Sequence, residues 1–286
     1  NVNLMRVDRA LTRSDLADLA KDHETKKNML QESINDLETS LNFCLRPAID
    51  SEKQGSVALF SNVAPIQSRL GDLWVRLRQV SQNNEHLRRA IQAFNDAAES
   101  YKKIGREGRV AECFWKVARI YDDLGDHLEA AESFNLALKS YQGAGEKIPQ
   151  LEDFYIDKAL YMQAWTEIEK ARHYHERQEY DLAQAHFEKA AELHKSMKQL
   201  GYLASNYSAW SNVEHAEDLS RKEHCEEAIR VFEQAVKLFD ETKNSLKDEL
   251  GKIEDPDEKQ MAINILKATD ARCEYCRARV KIEEAK

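Results

Sequence analysis

One short pattern, Ala-x3-Phe-x2-Ala, appears four times in this chain of 286 residues. Its copies are centred on Phe94, Phe134, Phe187 and Phe232, with one alanine four residues before and another three residues after each phenylalanine. Spacings of three and four residues place the three side chains on one face of an α-helix. A helix that recurs in this way predicts stacked repeats, in which each unit buries its small-residue face against a neighbour.

The composition favours helices over strands. Only 9 glycines and 4 prolines occur, which is too few for the many turns that short strands would need. Charged residues make up 33% of the chain, as expected for long helix faces in contact with water. We therefore predict an all-α fold of antiparallel helix pairs.

The helix before each copy of the pattern carries further signals. They are clearest before the second copy, where the set runs Phe114, Val117, Ala118, Tyr121, Gly125, Ala130, Phe134, Ala137. This arrangement resembles the tetratricopeptide repeat family, which has Trp-x2-Leu-Gly-x2-Tyr on its first helix and Ala, an aromatic residue and Ala on its second. The likeness covers about residues 70–240. It implies a right-handed α-solenoid that holds protein ligands.

The repeats are longer than the family's. Successive pattern phenylalanines are 40, 53 and 45 residues apart, against about 34 in the family. We therefore predict lengthened helices, including a single helix over residues 151–177, with a loop over residues 143–149 before it. Long units of this kind resemble soluble attachment proteins of vesicle fusion and bacterial tetratricopeptide regulators that sequester partner proteins.

Three regions are predicted: an N-terminal helical extension at 1–64, about four repeat units at 65–250 and a C-terminal capping helix at 251–286. In the extension, residues 14–46 read as one helix with Ser14 as its N-cap. Its apolar stripe comprises Leu30, Ile34, Leu37, Leu41 and Cys44.

Further boundaries come from prolines. Pro47 should end or bend that first helix, and residues 50–64 read as a loop followed by a short apolar helix, with the repeats starting at Pro65. In the C-terminal region, Asp255 and Pro256 are predicted as the N-cap and first helical position of the capping helix.

All four tryptophans fall on the first helix of a repeat. In the register of the family, most of these indoles and several arginines lie on the face that lines a concave groove. The candidate partner-binding residues are Arg76, Trp115, Arg119, Trp165, Arg172 and Trp210. Tryptophan and arginine are enriched among residues that dominate binding energy, and arginine pairs with carboxylates. The alternative is structural: the indoles are buried against neighbouring helices, or each stacks on an arginine.

Several classes of function are predicted to be absent. A net charge of −9 with no long basic run argues against nucleic-acid binding. No apolar run approaches the 18 residues or so that a membrane span needs. Five widely spaced cysteines, an odd number, fit a reducing compartment, so we expect a cytoplasmic protein.

The candidate chemical motifs are weak. Cys273-x2-Cys276 has no second pair to complete a zinc site, so a buried pair is expected. Glu169 and His173, four residues apart, read as a surface contact. Phosphate loops and hydrolase signatures are missing. We predict no metal, no cofactor and no enzymatic activity.

The leading hypothesis is an adapter that holds a protein or peptide segment, acidic and with apolar anchors, in a concave groove. Two alternatives stay open. The chain could be the regulatory part of a larger enzyme or signalling protein, or a structural unit in which residues 14–46 and the C-terminal helix bind further copies of the same chain.

Overall fold

The computed structural model of the protein describes residues 2–50, 57–197, 200–254 and 256–286. Within these ranges the regular structure is helical and contains no β-strand. The helices are α1 (Val2–Leu19), α2 (His23–Asp50), α3 (Val57–Ser81), α4 (Glu85–Lys103), α5 (Glu107–Leu124), α6 (His127–Lys147), α7 (Glu152–Glu176), α8 (Tyr180–Ser196), α9 (Ala204–Arg221), α10 (Cys225–Leu250) and α11 (Pro256–Glu284). Short 3-10 turns precede α7 and α9.

The repeated pattern occupies the second helix of each pair, namely α4, α6, α8 and α10. Its alanines are fully buried, and none of its phenylalanines is more than 4% exposed. The four tryptophans lie on the first helices α3, α5, α7 and α9, as predicted. The predicted all-α, solenoid-type fold class is therefore confirmed, while its handedness stays a prediction.

The turn inside each pair contains one residue in the left-handed region. These residues are Gln82, Gly125, Gln178 and Glu223, with φ angles between 57° and 79°. A glycine adopts this conformation without strain, whereas a residue with a Cβ is strained there. Three of the four tight turns therefore form without glycine, which is why the sequence marks them poorly.

The chain divides into two compact units. The first comprises Asn1–Asp126 and Leu136–Ile156. Its core joins α1 to α5 around Trp74 and Phe94, and the stripe on α2 is buried at Leu30, Ile34 and Leu37, as predicted. The α3–α4 pair is especially close, because a Cβ added to Gly71 would lie 2.5 Å from the ring of Phe94.

The helix predicted over residues 14–46 is in fact two helices. Helix α1 ends at Leu19 and α2 begins at His23. Ser14 is therefore not an N-cap but a buried residue inside α1. The cap of α2 is Asp22, whose Oδ1 accepts a hydrogen bond from the backbone N–H of Thr25 at 2.8 Å. This bond lowers the pKa of the Asp22 carboxyl.

Prolines and glycines interrupt the helices less than predicted. Helix α2 continues through Pro47 to Asp50, and Pro65 lies inside the 25-residue helix α3 rather than at a boundary. Residues 51–56 of the predicted loop lie outside the described residues. The stretch 143–147 is the last part of α6, so the predicted loop over 143–149 is reduced to a short connection. The three-region division stays a prediction, although α3 crosses its first boundary.

The second unit comprises His127–Asn135 and Asp157–Lys286. Its core joins α9, α10 and α11 around Phe232 and Phe239. The predicted helix over residues 151–177 is confirmed as α7, and the predicted C-terminal helix as α11. Asp255, the predicted cap of α11, lies outside the described residues. Cys273 and Cys276 are buried in this core as free thiols, and burial raises the pKa of both.

Candidate partner-binding face

The predicted site residues of the first unit differ in their surroundings. Arg76 on α3 donates from Nη1 to Ser14 Oγ at 2.5 Å and from Nη2 to the backbone oxygen of Ser14 at 2.7 Å. Its Nη2 also lies 2.9 Å from a carboxylate oxygen of Asp18. Arg76 therefore holds α1 against α3, a structural task that the sequence did not indicate.

Trp115 and Arg119 of α5 are the exposed members of the predicted set. The indole of Trp115 is 36% exposed, and the side chain of Arg119 is 47% exposed one helical turn further on. Arg119 Nη1 lies 3.2 Å from Asp122 Oδ2, so its guanidinium is kept on this surface by an ion pair within the helix. A large aromatic ring and a cation are thus presented side by side.

In the second unit, Trp165 packs within the structure. It is 9% exposed and stacks on Phe134, with ring centroids 5.6 Å apart. The guanidinium carbon of Arg172 lies 5.7 Å from its ring centroid. Trp165 therefore fits the structural alternative, in which an indole is buried against neighbouring helices or stacks on an arginine. The phenylalanine Phe134 of the repeated pattern and the guanidinium of Arg172 both contact its ring.

Trp210 is half-buried in a similar setting. Its ring stacks on Phe187 at 5.6 Å and meets Phe239 edge-on at 6.2 Å. A second arginine, Arg272 of α11, lies over it with its guanidinium carbon 4.6 Å from the ring centroid. Trp165 and Trp210 therefore supply apolar walls beneath guanidinium groups, rather than free anchors.

Two buried carboxylates follow these tryptophans by four residues. Glu169 on α7 and Glu214 on α9 are both fully buried. Glu169 Oε2 accepts a hydrogen bond from His127 Nδ1 at 2.7 Å, and its Oε1 accepts one from Arg172 at 2.8 Å. The expectation of a surface contact between Glu169 and His173 is therefore wrong, since the partner is a histidine on α6.

Glu214 repeats the arrangement with His175 of α7. Its Oε2 accepts a hydrogen bond from His175 Nδ1 at 3.1 Å. Burial raises the pKa of Glu214, and the hydrogen bond to Glu214 raises the pKa of His175. The sequence signal for both carboxylates is the repeated Trp-x3-Glu of α7 and α9.

A third polar cluster fixes α11 to α9. Glu217 accepts hydrogen bonds from the hydroxyl of Tyr275 and, at 2.8 Å, from Arg279 Nη2. Ser220 Oγ donates to Glu283 Oε1 at 2.7 Å. Helix α11 is therefore attached through charged and hydroxyl groups as well as through its apolar face.

Comparison with protein families identifies one repeat of the chain. Residues 111–142 match the tetratricopeptide repeat family. This stretch is the unit of α5 and α6 that carried the clearest signals in the sequence, so the resemblance is confirmed there. No curated protein sequence matches the chain.

Solved structures that resemble this chain include BtubC (BKLC) from P. vanneervenii, with 18% identity, coverage of 90% of this chain and 91% of that one, and a TM-score of 0.40. A circular tandem repeat protein with a novel repeat topology shows 14% identity, coverage of 99% and 74%, and a TM-score of 0.37. The TPR2AB domain of yeast Sti1, in a complex with pHSP90, shows 11% identity, coverage of 99% and 96%, and a TM-score of 0.30.

The tetratricopeptide unit presents Trp115 and Arg119 on its first helix. Across the described ranges, no group of three or more His, Cys, Asp or Glu side chains is arranged to hold a metal ion. None of the helices in those ranges combines the length and apolarity required to cross a bilayer. Helix pairs with a tetratricopeptide unit are, in general terms, the architecture of a protein-interaction scaffold.

Proposed function

We propose that this chain is an adapter that binds a protein or peptide segment through the first helices of its repeats. The observation that carries the proposal is the exposed pair of Trp115 and Arg119 in the tetratricopeptide unit. Tryptophan buries a large area on binding at little entropic cost, and arginine can grip a carboxylate with two parallel hydrogen bonds. A ligand with an apolar side chain next to an acidic one fits this pair.

The second unit would contribute through Trp165, Arg172 and Trp210. The rings of Trp165 and Trp210 are largely packed. The contribution of this unit to binding would therefore come from the guanidinium groups of Arg172 and Arg272, which lie over those rings. Because the scaffold is already formed, the ligand bears most of the ordering cost. The absence of catalysis, the lack of nucleic-acid binding and the cytoplasmic location all stay predictions.

The test compares binders of the wild type with those of Trp115→Ala and Arg119→Glu. Affinity capture identifies a candidate binder, which is then purified and titrated by calorimetry. We expect each variant to weaken binding at least about ten-fold, equivalent to about 1.4 kcal/mol. The matched control is Arg88→Glu on α4, because Arg88 is likewise exposed and paired within its helix, to Glu85 at 3.1 Å.

Equal affinity of the wild type and both variants would overturn the assignment of this face. If no binder is captured but the chain forms stable oligomers in light scattering, the self-association alternative is favoured. Outside the residues 14–46 named for that alternative, Val2, Leu4 and Met5 of α1 are each more than 60% exposed. An exposed apolar segment of this kind can pair with a second copy.

A further inference from the structure

Arg272 occupies an unusual position among the arginines of the second unit. It projects from α11 over the ring of Trp210, and its Nη1 donates a hydrogen bond to Asn206 Oδ1 at 3.0 Å. Both contacts are to α9 and both are to neutral groups. The guanidinium is thus held in a fixed place by an indole face and one amide oxygen.

The other six arginines of that unit all have a carboxylate partner. Their ion-pair distances range from 2.6 Å for Arg177–Glu179 to 3.8 Å for Arg230–Glu226. The remaining pairs are Arg172–Glu169, Arg221–Asp218, Arg277–Asp240 and Arg279–Glu217. Within the described part of the unit, Arg272 alone forms no ion pair with a carboxylate.

The missing counter-charge matters because Arg272 is also withdrawn from water. Burial lowers the pKa of Arg272 to about 10; of the nearby groups, Tyr207 opposes this shift and the positive charge of Arg172 adds to it. A cation that is desolvated without a partner is costly, so a buried charge is normally paired or bound to a ligand. The site is therefore charged and fixed in position, and no carboxylate among the described residues of this unit is paired with it.

We propose that Arg272, Asn206 and Trp210 form a subsite for an oxyanion carried by the ligand of the adapter. The proposal rests on the function proposed above and names one group that the ligand presents. The free N–H groups of Arg272 would bind two oxygens in parallel, in the geometry that suits a carboxylate or a phosphate. Trp210 would form an apolar wall beside them.

The oxyanion can come from an acidic side chain or from a phosphorylated one, and the two sources are separable. Sodium acetate and sodium phosphate are titrated in turn into the protein, with sodium chloride at equal ionic strength as the reference. The readout is the NMR signal of the Arg272 Nε–H group, identified by its loss in Arg272→Gln. Tryptophan fluorescence, compared with Trp210→Phe, gives a second readout of the same contact.

We expect a saturable shift of the Arg272 signal with acetate, phosphate or both, and no comparable shift with chloride. Saturation with acetate alone indicates a carboxylate ligand, and saturation with phosphate alone indicates a phosphorylated one. Arg272→Lys keeps the charge but loses the fork of donors, so the fluorescence response should weaken several-fold. Arg277→Gln removes an exposed arginine that lies on α11, like Arg272, but is paired with Asp240 of α10, so it should leave the Arg272 response unchanged.

A non-saturating shift of equal size for Arg272 and Arg277 in all three salts would overturn the subsite. That result would leave the adapter itself untouched, because the adapter is tested through Trp115 and Arg119 with a protein binder. Conversely, a saturable oxyanion site with no captured partner would uphold the subsite and count against the adapter.

Discussion

The two units bury polar groups of different kinds. Among the described residues of the first unit, the buried polar side chains are all neutral: Ser14, Ser33, Ser40, Gln67 and Ser100. Those of the second unit include five carboxylates and an imidazole: Glu169, Glu214, Glu217, Asp218, Glu283 and His194. Two sets of helices with a similar repeat pattern therefore reach their packing by different chemistry.

This difference indicates whether the stability of each unit depends on packing alone or also on pH. A neutral pair such as Ser100 Oγ donating to Gln67 Oε1, at 2.7 Å, keeps its strength across the physiological pH range. A buried carboxylate needs a cationic or hydrogen-bonding partner from another helix, or its desolvation is uncompensated. We therefore expect the first unit to respond mainly to changes in packing, and the second to pH as well.

The largest expected effect tests whether the apolar cores of the two units are equivalent. Phe94→Ala in the first unit and Phe232→Ala in the second each remove a pattern phenylalanine that is at most 1% exposed. Each should lower the free energy of unfolding by about 3–5 kcal/mol, because a cavity is left behind. Urea denaturation followed by circular dichroism measures this.

The matched control is Phe154→Ala, which truncates a phenylalanine that is 52% exposed. It should change the free energy of unfolding by less than about 1 kcal/mol. A loss below about 1 kcal/mol for either Phe94 or Phe232 would mean that the repeated pattern does not mark a shared core.

The second prediction concerns the pH dependence of the second unit. His194 is fully buried and stacks on Tyr207, and burial lowers the pKa of its imidazole to about 4. Between pH 6.5 and 4 the unfolded chain therefore binds a proton at this position that the folded chain does not. Stability contributed by neutral His194 is present above pH 6.5 and is lost as the pH falls, by about 3 kcal/mol at pH 4.

His175 acts in the opposite direction. Its pKa is raised by Glu214, so its contribution is present below pH 6.5 and is lost as the pH rises through the folded-state pKa. The two effects are separated by His194→Phe, which keeps an aromatic ring on Tyr207 but cannot titrate. We expect the free energy of unfolding of this variant to fall less than that of the wild type from pH 7 to pH 4. Parallel pH curves would contradict the assignment to His194.

Much of the fold could be predicted, because the features that define it repeat. Four copies of one pattern identify the second helices, and the long spacing correctly predicts a helix over residues 151–177. The errors occur where a single local signal, such as a glycine or a proline, predicted a break without knowledge of the tertiary contacts around it. The glycines of 143–147 predicted a loop, yet they are helical, and a Cβ on Gly145 would lie 3.5 Å from the Cβ of Tyr155. That distance is an ordinary van der Waals contact, so neither the backbone nor the packing makes this glycine a helix breaker.

The candidate site could be predicted only in part. Tryptophans and arginines are easily recognised in a sequence, but the exposure of their side chains is not. Exposure is the property that distinguishes Trp115 from Trp165. Arg272 lies 62 residues beyond Trp210, on a helix outside the repeats, so no local spacing links the two. The carboxylates were more accessible to sequence analysis, since Glu169 and Glu214 both follow a tryptophan by four residues.

The third prediction tests how tightly the first unit is packed. Gly71→Ala adds a Cβ that would lie 2.5 to 2.7 Å from three ring atoms of Phe94, which is itself buried. The clash outweighs the gain in helix propensity, so we expect a net loss of about 1–2 kcal/mol in the free energy of unfolding.

The matched control for that substitution is Gly143→Ala, also inside a helix but with no atom within 4 Å of the added Cβ. Here propensity acts alone, and the protein should gain about 0.5–1 kcal/mol. Thermal melting of the two variants gives the comparison. If Gly71→Ala is also stabilising, the close approach of α3 and α4 is wrong.

The smallest effect concerns a feature that the two units share. Gln82 in the first unit and Gln178 in the second hold the left-handed turn of their pairs, with φ of 57° and 59°. Replacing either with glycine relieves the strain of the Cβ but makes the unfolded chain more flexible, so a net gain of about 0.5–1 kcal/mol is expected. Gln79→Gly, inside α3, is the control and should destabilise the protein by about 1 kcal/mol.

Because the turn geometry is the same in both units, the gains from Gln82→Gly and Gln178→Gly should agree within about 0.5 kcal/mol. A gain at only one of the two positions would show that the units differ in their turns as well as in their buried charges.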